Sequence, residues 1–132
     1  MGKTGLEQVE CEMYSHQITD LFTEFSKVFF EKDAVKKGAL LAAFTEDLVP
    51  RNLAFLEAKL KKTKSGFLVG DGLTIADLFL FVGFETLTNG GFKTADMDKL
   101  SQQFPCIDEH FRRIGSVEQI SAWLKARPQT EF

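Results

Sequence analysis

The sequence predicts an all-α fold, because apolar residues recur at the spacing of a helix face along most of the chain. Two long segments, Leu6–Lys32 and Leu40–Leu60, carry an apolar residue every three or four positions with polar residues between them. No stretch of useful length alternates at the two-residue period of a half-buried strand. The chain has 132 residues, the length of one ordinary domain, so residues 1–132 are expected to form a single helical bundle.

The two long segments differ in regularity. Leu6–Lys32 keeps its period throughout and predicts one amphipathic helix. Leu40–Leu60 contains Pro50, which lacks a backbone N–H and predicts a bend one turn before it within a single helix. The glycine-rich stretch 65–72 (SGFLVGDG) then predicts a loop, and it matches neither the P-loop nor the dinucleotide-binding glycine pattern.

Shorter helices are predicted in the second half of the chain. Thr74–Leu87 is a near-continuous apolar run that is too long for a strand, so it predicts a central helix buried on most sides, which ends at the Asn-Gly-Gly of residues 89–91. Ala95–Gln103 and Pro105–Ile114 predict two short helices. A last helix is expected to begin at Ser116, in a Ser-x-x-Gln capping box, and to bury the apolar side chains of Ile120, Trp123 and Leu124.

Composition and charge narrow the possible partners. Sixteen Lys and Arg against 19 Asp and Glu give a net charge of -3, the wrong sign for a surface that binds a phosphate backbone, so no nucleic acid partner is expected. The longest purely apolar run, Leu78–Val82, is too short to span a bilayer, and the polar start of the chain does not have the pattern of a signal peptide. A soluble, cytoplasmic protein with no membrane partner is therefore expected.

Few residues are candidates for catalysis or metal binding. Cys11 and Cys106 lie far apart in no Cys-x-x-Cys pattern, and they are expected to be reduced thiols that act as small core residues. His16 and His110 lie in no metal-binding pattern, so no metal site is expected. No Gly-x-Ser-x-Gly motif and no recognisable Cys–His pairing occurs, so the sequence predicts no catalytic residue.

One local motif is more informative than the rest. In Thr74-Ile-Ala-Asp77 each polar side chain can accept a hydrogen bond from the backbone of the other, and Leu73 can pack onto Leu78, which together predict a capping box with a hydrophobic staple. The surrounding stretch, GFLVGDGLTIAD, resembles the start of the central helix in the C-terminal domain of the glutathione transferases. The motif therefore points to a family as well as to a helix end.

Two further stretches are similar to the same family. The opening GKTGLEQVE resembles the entry into the first helix of the C-terminal domain in sigma-class and nematode glutathione transferases. The ending from Ile120 to Phe132, with the pattern IxxWLxxRPxT, resembles their last helix and tail. The resemblance covers the whole chain in order and implies a helical C-terminal domain without the thioredoxin-like N-terminal domain.

The resemblance also implies a function and specific site residues. The thioredoxin-like domain carries the catalytic tyrosine or serine and most of the glutathione site in the family, so the isolated chain is expected to be inactive, with no cofactor of its own. Asp20, on the first helix, is the candidate to contact the glutathione of the neighbouring subunit across a homodimer. Phe22, Phe25 and Phe132 are the candidates for the wall that binds small hydrophobic electrophiles, the substrates that such enzymes detoxify by conjugation to the co-substrate glutathione.

Two alternatives stay open from the sequence. The chain is compatible with a free-standing protein-interaction module of the transferase type, which would bind partners without thiol chemistry. It is also compatible with a carrier that holds an apolar ligand in a Phe-rich pocket. For Asp20, an ordinary solvated position on a helix face is an equally open interpretation, and for the three phenylalanines so is simple packing or a place in the tail.

Overall fold

The computed structural model describes residues 1–89 and 97–128, and every regular element in those ranges is helical, as the sequence predicts. None of the helices within them is long and apolar enough to cross a bilayer. In chain order the elements are α1 (Gly5–Phe30), α2 (Ala34–Ala43), a π-helical segment (Phe44–Leu48), α3 (Val49–Lys62), α4 (Ile75–Thr88), α5 (Met97–Gln103), α6 (Pro105–Gly115) and α7 (Glu118–Ala126).

Helix α1 confirms the predicted long first helix and begins at a capping box of its own. The hydroxyl of Thr4 accepts a hydrogen bond from the Glu7 amide at 3.2 Å, and the Glu7 carboxylate accepts one from the Thr4 amide at 3.1 Å. One face of the helix is buried, through Cys11, Tyr14, Ile18, Leu21, Phe25 and Val28. A second apolar stripe near its start is exposed, through Leu6, Val9 and Met13.

The second long segment is one continuous helical run, as predicted, but it begins earlier than expected. Asp33 caps α2 by accepting hydrogen bonds from the amides of Val35 and Lys36, both at 3.0 Å, so the run starts at Ala34. The α-helical pattern is interrupted by the π-helical segment Phe44–Leu48, just before Pro50. A wider turn accommodates a proline that can neither donate its backbone bond nor tolerate the carbonyl four residues earlier.

Helix α4 is the central helix and crosses α1 at close range. Its buried side chains include Asp77, Leu80, Phe81 and Phe84, whereas Val82 is exposed. Gly83 marks the crossing, because a Cβ built there would lie 3.0 Å from Cγ2 of Ile18 on α1. The glycine thus lets two helix backbones approach more closely than any larger residue would.

The start predicted for the last helix is wrong. Ser116 continues the backbone of α6, and its hydroxyl donates to the Arg113 carbonyl at 2.7 Å instead of capping the next helix. The cap position of α7 belongs to Val117, which offers no side-chain acceptor. A serine that satisfies the end of one helix is not available to begin another, so the Ser116–Gln119 capping box does not form.

The predicted burial of α7 is wrong for Trp123, whereas Ile120 and Leu124 are half-buried. Trp123 is 55% exposed, and no residue of α7 is fully buried; the main packing partner of this helix is α6. The guanidinium of Arg127 lies 5.1 Å from the Trp123 ring centroid and pairs with Glu85 of α4, which fixes the end of α7 by charge rather than by burial. Of the predicted helix Ala95–Gln103 and its preceding stop, residues 90–96 lie outside the described ranges.

Candidate functional site

Asp20 lies on the solvent side of α1, nearly three turns before the helix ends at Phe30. The carboxylate is exposed and makes no hydrogen bond or ion pair with any described residue. One turn earlier on the same helix, Gln17 donates to Asn52 of α3 at 3.2 Å, and Asn52 donates to the Leu48 carbonyl at 2.8 Å. Asp20 therefore stands at the edge of a polar junction between α1 and α3, where its charge is free to meet another molecule.

The three predicted substrate-wall phenylalanines do not share one environment. Phe22 is half-buried, and its ring lies 3.9 Å from the position a Cβ would take on Gly83. Phe25 is 8% exposed, with its ring centroid 5.2 Å from that of Phe44, so it belongs to the core. Phe132 lies outside the described residues. Only Phe22 thus offers described apolar surface that a ligand can touch directly.

The interior next to these residues has almost no free space. The cavity between α1, α3 and α4 measures about 10 Å³, close to the volume of one water probe, and is lined by apolar residues with Gln17 and Asn52. Such a space holds no organic ligand. The alternative of an apolar-ligand carrier is therefore not favoured by the part of the chain that the structure describes.

Asp77 forms the most connected polar centre of the described domain. Its carboxylate is fully buried and accepts from the Thr74 amide at 2.8 Å and the Thr74 hydroxyl at 2.9 Å, within a capping box at the start of α4. It also accepts from the Leu68 amide at 2.9 Å, nine residues earlier. Nε2 of His110, on α6, lies 2.8 Å from the same carboxylate. One side chain thus joins the loop, α4 and α6.

The electrostatics of this centre favour an ionised carboxylate. Burial by itself would raise the pKa of Asp77, but the hydrogen bonds from His110, Leu68 and Thr74 outweigh it, and the pKa lies below its ordinary value. His110 is 2% exposed, and its Nδ1 has no partner in the described part of the chain. Because neither side chain is accessible, the Asp77–His110 pair holds the fold together and does not present an acid or base to a substrate.

The loop of residues 63–73 contacts α4, α6 and the segment before α1. Arg113 of α6 donates to the Ser65 carbonyl at 2.8 Å, and the guanidinium occupies the space beside Gly66, whose φ of +76° suits glycine. Lys3, before α1, pairs with Asp71 at 2.6 Å. Asp77 holds the Leu68 amide in between. The loop is therefore a fixed part of the bundle.

Glu57 supplies a contact that the sequence pattern did not predict. This side chain of α3 is 4% exposed and accepts from the first free amides of α6, those of Cys106 at 3.1 Å and Ile107 at 2.9 Å. It stabilises the α6 start from another helix, a role that no local motif reveals because the partners are about 50 residues apart.

Neither cysteine is poised for nucleophilic chemistry. Cys11 is fully buried on α1. Cys106 lines an open cavity of about 190 Å³ with Arg113, Glu109 and His110, but burial, and next Glu57, raise the pKa of its thiol, which disfavours the thiolate. His16 is exposed, and no group of three or more metal-ligating side chains occurs within residues 1–89 and 97–128. The described residues thus bring together structural polar contacts and no reactive centre.

Comparison with protein families gives a match that covers most of the chain. Residues 19–127 match the family described as "Glutathione S-transferase, C-terminal domain". Among curated proteins, "Glutathione S-transferase 3" of Caenorhabditis elegans is 27% identical and "Probable glutathione S-transferase 5" of the same nematode is 31% identical, with 100% and 99% of this chain aligned. The chain spans 63% and 61% of the length of these two relatives.

Solved structures agree with the sequence relatives. A sigma class GST of Fasciola hepatica superimposes with a TM-score of 0.79 at 27% identity, over 100% of this chain and 60% of that one. A monomeric glutathione S-transferase of the hookworm Necator americanus gives 0.77, also at 27% identity, over 99% of this chain and 62% of that one. The helical arrangement described above is therefore that of these transferases.

Proposed function

The chain belongs to the glutathione S-transferase family through its C-terminal domain, and from that premise we propose that it serves as the helical part of an enzyme that conjugates glutathione to hydrophobic electrophiles. The observation that carries the proposal is the family match over residues 19–127. The relatives are about half as long again as this chain. In the proposal, a thioredoxin-like domain supplies the catalytic tyrosine or serine and binds most of the glutathione.

Asp20 is proposed to contact the glutathione held by a neighbouring subunit. Its exposed carboxylate, without a partner among the described residues, supports this role, because it can accept hydrogen bonds from an ammonium or amide group without first breaking an internal contact. The adjacent Gln17–Asn52 bond fixes the neighbouring turn of α1 against α3 and limits where Asp20 can move. The proposal includes a homodimer of the transferase type in the cytosol.

The electrophile is proposed to bind along α1 beside the domain interface. Phe22 contributes apolar surface, Phe25 supports it from the core, and Phe132 remains a proposed contact from the tail. The exposed stripe of Leu6, Val9 and Met13 at the start of α1 offers apolar surface for an adjoining domain or subunit. These contacts would supply binding and orientation, whereas the chemistry would come from the thioredoxin-like domain.

The test joins this chain to the N-terminal part of a nematode relative. The isolated chain is expected to give no saturable heat with glutathione in calorimetry, because no described residue can hold and activate its thiol. The fusion is expected to conjugate glutathione to a chloronitrobenzene-type electrophile. Asp20→Ala in the fusion is expected to raise the KM for glutathione about tenfold with little change in kcat, as loss of one charged contact does.

Glu12→Ala is the matched control, because Glu12 is another exposed carboxylate on α1 with no ion pair to a described residue. It should leave the KM for glutathione unchanged. An inactive fusion that nevertheless folds as a dimer would contradict the proposed function. An active fusion in which Asp20→Ala and Glu12→Ala behave alike would contradict only the role of Asp20.

A further inference from the structure

The end of α1 and the start of α2 present exposed apolar side chains at one corner of the domain. Phe30 is 74% exposed and Val35 is 84% exposed, and Phe29 packs edge-on against Phe30 with ring centroids 5.3 Å apart. Helix α2 contains no buried residue at all. We call residues Phe29–Lys37 the α1–α2 corner. Such a concentration of exposed apolar side chains, next to a closed core, indicates a contact surface.

The basic and acidic side chains of the α1–α2 corner differ in their contacts. Three exposed lysines, Lys32, Lys36 and Lys37, make no ion pair with described residues. The two carboxylates of the corner instead face its backbone: Glu31 accepts from the Asp33 amide at 2.9 Å, and Asp33 accepts from two amides at the start of α2. The positive end of the α2 dipole further offsets the Asp33 charge. The corner carries three lysines against two carboxylates, so its net charge is +1, on a chain whose net charge is -3.

The combination of aromatic side chains with lysines selects one kind of partner. The cores of protein interfaces are depleted in lysine, because an ammonium loses its hydration there. At a membrane surface the aromatic rings insert among the headgroups while the lysine ammoniums stay at the anionic phosphates, so both residue types are used. We propose that the α1–α2 corner binds the surface of anionic membranes.

This proposal does not conflict with the shortness of the apolar runs. Run length decides whether a helix can cross a bilayer, whereas binding at the surface draws on exposed apolar area together with positive charge. The expectation of no membrane partner rested on the first property. The α1–α2 corner has exposed apolar side chains together with positive charge. Membrane binding by the corner would be independent of any role in glutathione conjugation.

The experiment sediments the purified chain with vesicles of phosphatidylcholine containing about 30% phosphatidylserine. We expect saturable binding that falls roughly tenfold in Lys36→Gln/Lys37→Gln, and by a similar factor in Phe30→Ser/Val35→Ser. Raising the salt concentration from about 0.1 M to about 0.5 M should also weaken binding, because it screens the surface charge. Binding to pure phosphatidylcholine vesicles should be weak.

Two matched variants separate the corner from general effects of charge and exposure. Lys62→Gln/Lys64→Gln removes two exposed lysines at and just after the C-terminal end of α3. Leu6→Ser/Val9→Ser removes exposed apolar side chains at the start of α1. Both should bind vesicles like the wild type, and circular dichroism should show all four variants folded.

The proposal is overturned by any of three results: no binding to anionic vesicles, equal loss of binding in the control variants, or binding to neutral vesicles as strong as to anionic ones. Sedimentation velocity without lipid adds a fourth. Self-association that Phe30→Ser/Val35→Ser abolishes, without vesicle binding, would assign the corner to a second copy of the chain instead.

Discussion

Replacing Asp77 by alanine should destabilise the domain by about 4 kcal/mol, well above the cost of an ordinary helix cap. The carboxylate is fully buried and accepts from Leu68, Thr74 and His110. Of the three partners Thr74 is the most exposed, at 8%, so water can most readily replace its lost bond. The Leu68 amide and the His110 ring are drier, and each would lose its partner at a cost of about 2 kcal/mol.

Urea unfolding followed by circular dichroism measures this loss as a shift of the midpoint at unchanged slope. Asp77→Asn keeps the size of the side chain and one oxygen acceptor, so it should cost about half as much, and it serves if the alanine variant does not fold. Asp20→Ala is the control, because removing an exposed carboxylate without described partners should change the stability by less than about 0.5 kcal/mol.

A double-mutant cycle with His110→Leu tests whether the bond to α6 carries part of the effect. Side chains in direct contact should show a coupling energy of about 1 to 3 kcal/mol. A loss below about 1 kcal/mol in Asp77→Ala, or no coupling to His110, would refute the reasoning, because Asp77 would then act as a local cap alone.

Further predictions concern acid stability and two packing contacts. The pKa of Asp77 is lowered in the folded chain, so ionised Asp77 contributes fully to the free energy of unfolding above the ordinary value of 3.8. This contribution is lost as the pH falls through the lower pKa of the folded chain. Urea midpoints measured against pH should show the loss in the wild type and not in Asp77→Asn. Gly83→Ala should destabilise by about 1 to 3 kcal/mol, since the new methyl group meets Ile18, whereas Gly38→Ala, in open space on α2, should stabilise by about 0.5 to 1 kcal/mol in the same assay. Glu57→Ala should cost about 2 kcal/mol by leaving two amides of α6 without an acceptor, and thermal unfolding would reveal it; a midpoint equal to that of the wild type would exclude the interhelical cap.

Features set by neighbouring residues could be predicted from the sequence. The period of α1 and the Thr74–Asp77 motif involve positions three or four apart, and both appear in the structure. Ser116 shows the limit of such reasoning. Its Ser-x-x-Gln motif is typical of a helix start, yet the residue lies at the end of α6, where its hydroxyl donates to the Arg113 carbonyl. Local patterns do not say which of two adjacent helices a polar residue serves.

Contacts between distant segments could not be predicted, since nothing in a single sequence pairs them. Glu57 meets α6, and His110 meets Asp77, only because α3, α4 and α6 pack together. For the candidate site, the sequence placed Asp20 on the first helix, and the structure gives its exposure. The difference between half-buried Phe22 and buried Phe25 depends on which segments pack against each side of α1, which periodicity does not fix.

The π-helical segment Phe44–Leu48 links an extra residue in the helix to the presence of Pro50. The Val49 amide bonds to the Phe44 carbonyl five residues earlier, and both side chains are buried. In a regular α-helix, residues five apart would point about 140° away from each other, so the turn in effect absorbs one inserted residue. Deleting one residue of the π-helical segment would restore α-helical geometry. It would also bring the ring of Pro50 against the carbonyl four residues earlier. Insertion and proline should therefore be gained or lost together as the family diverges.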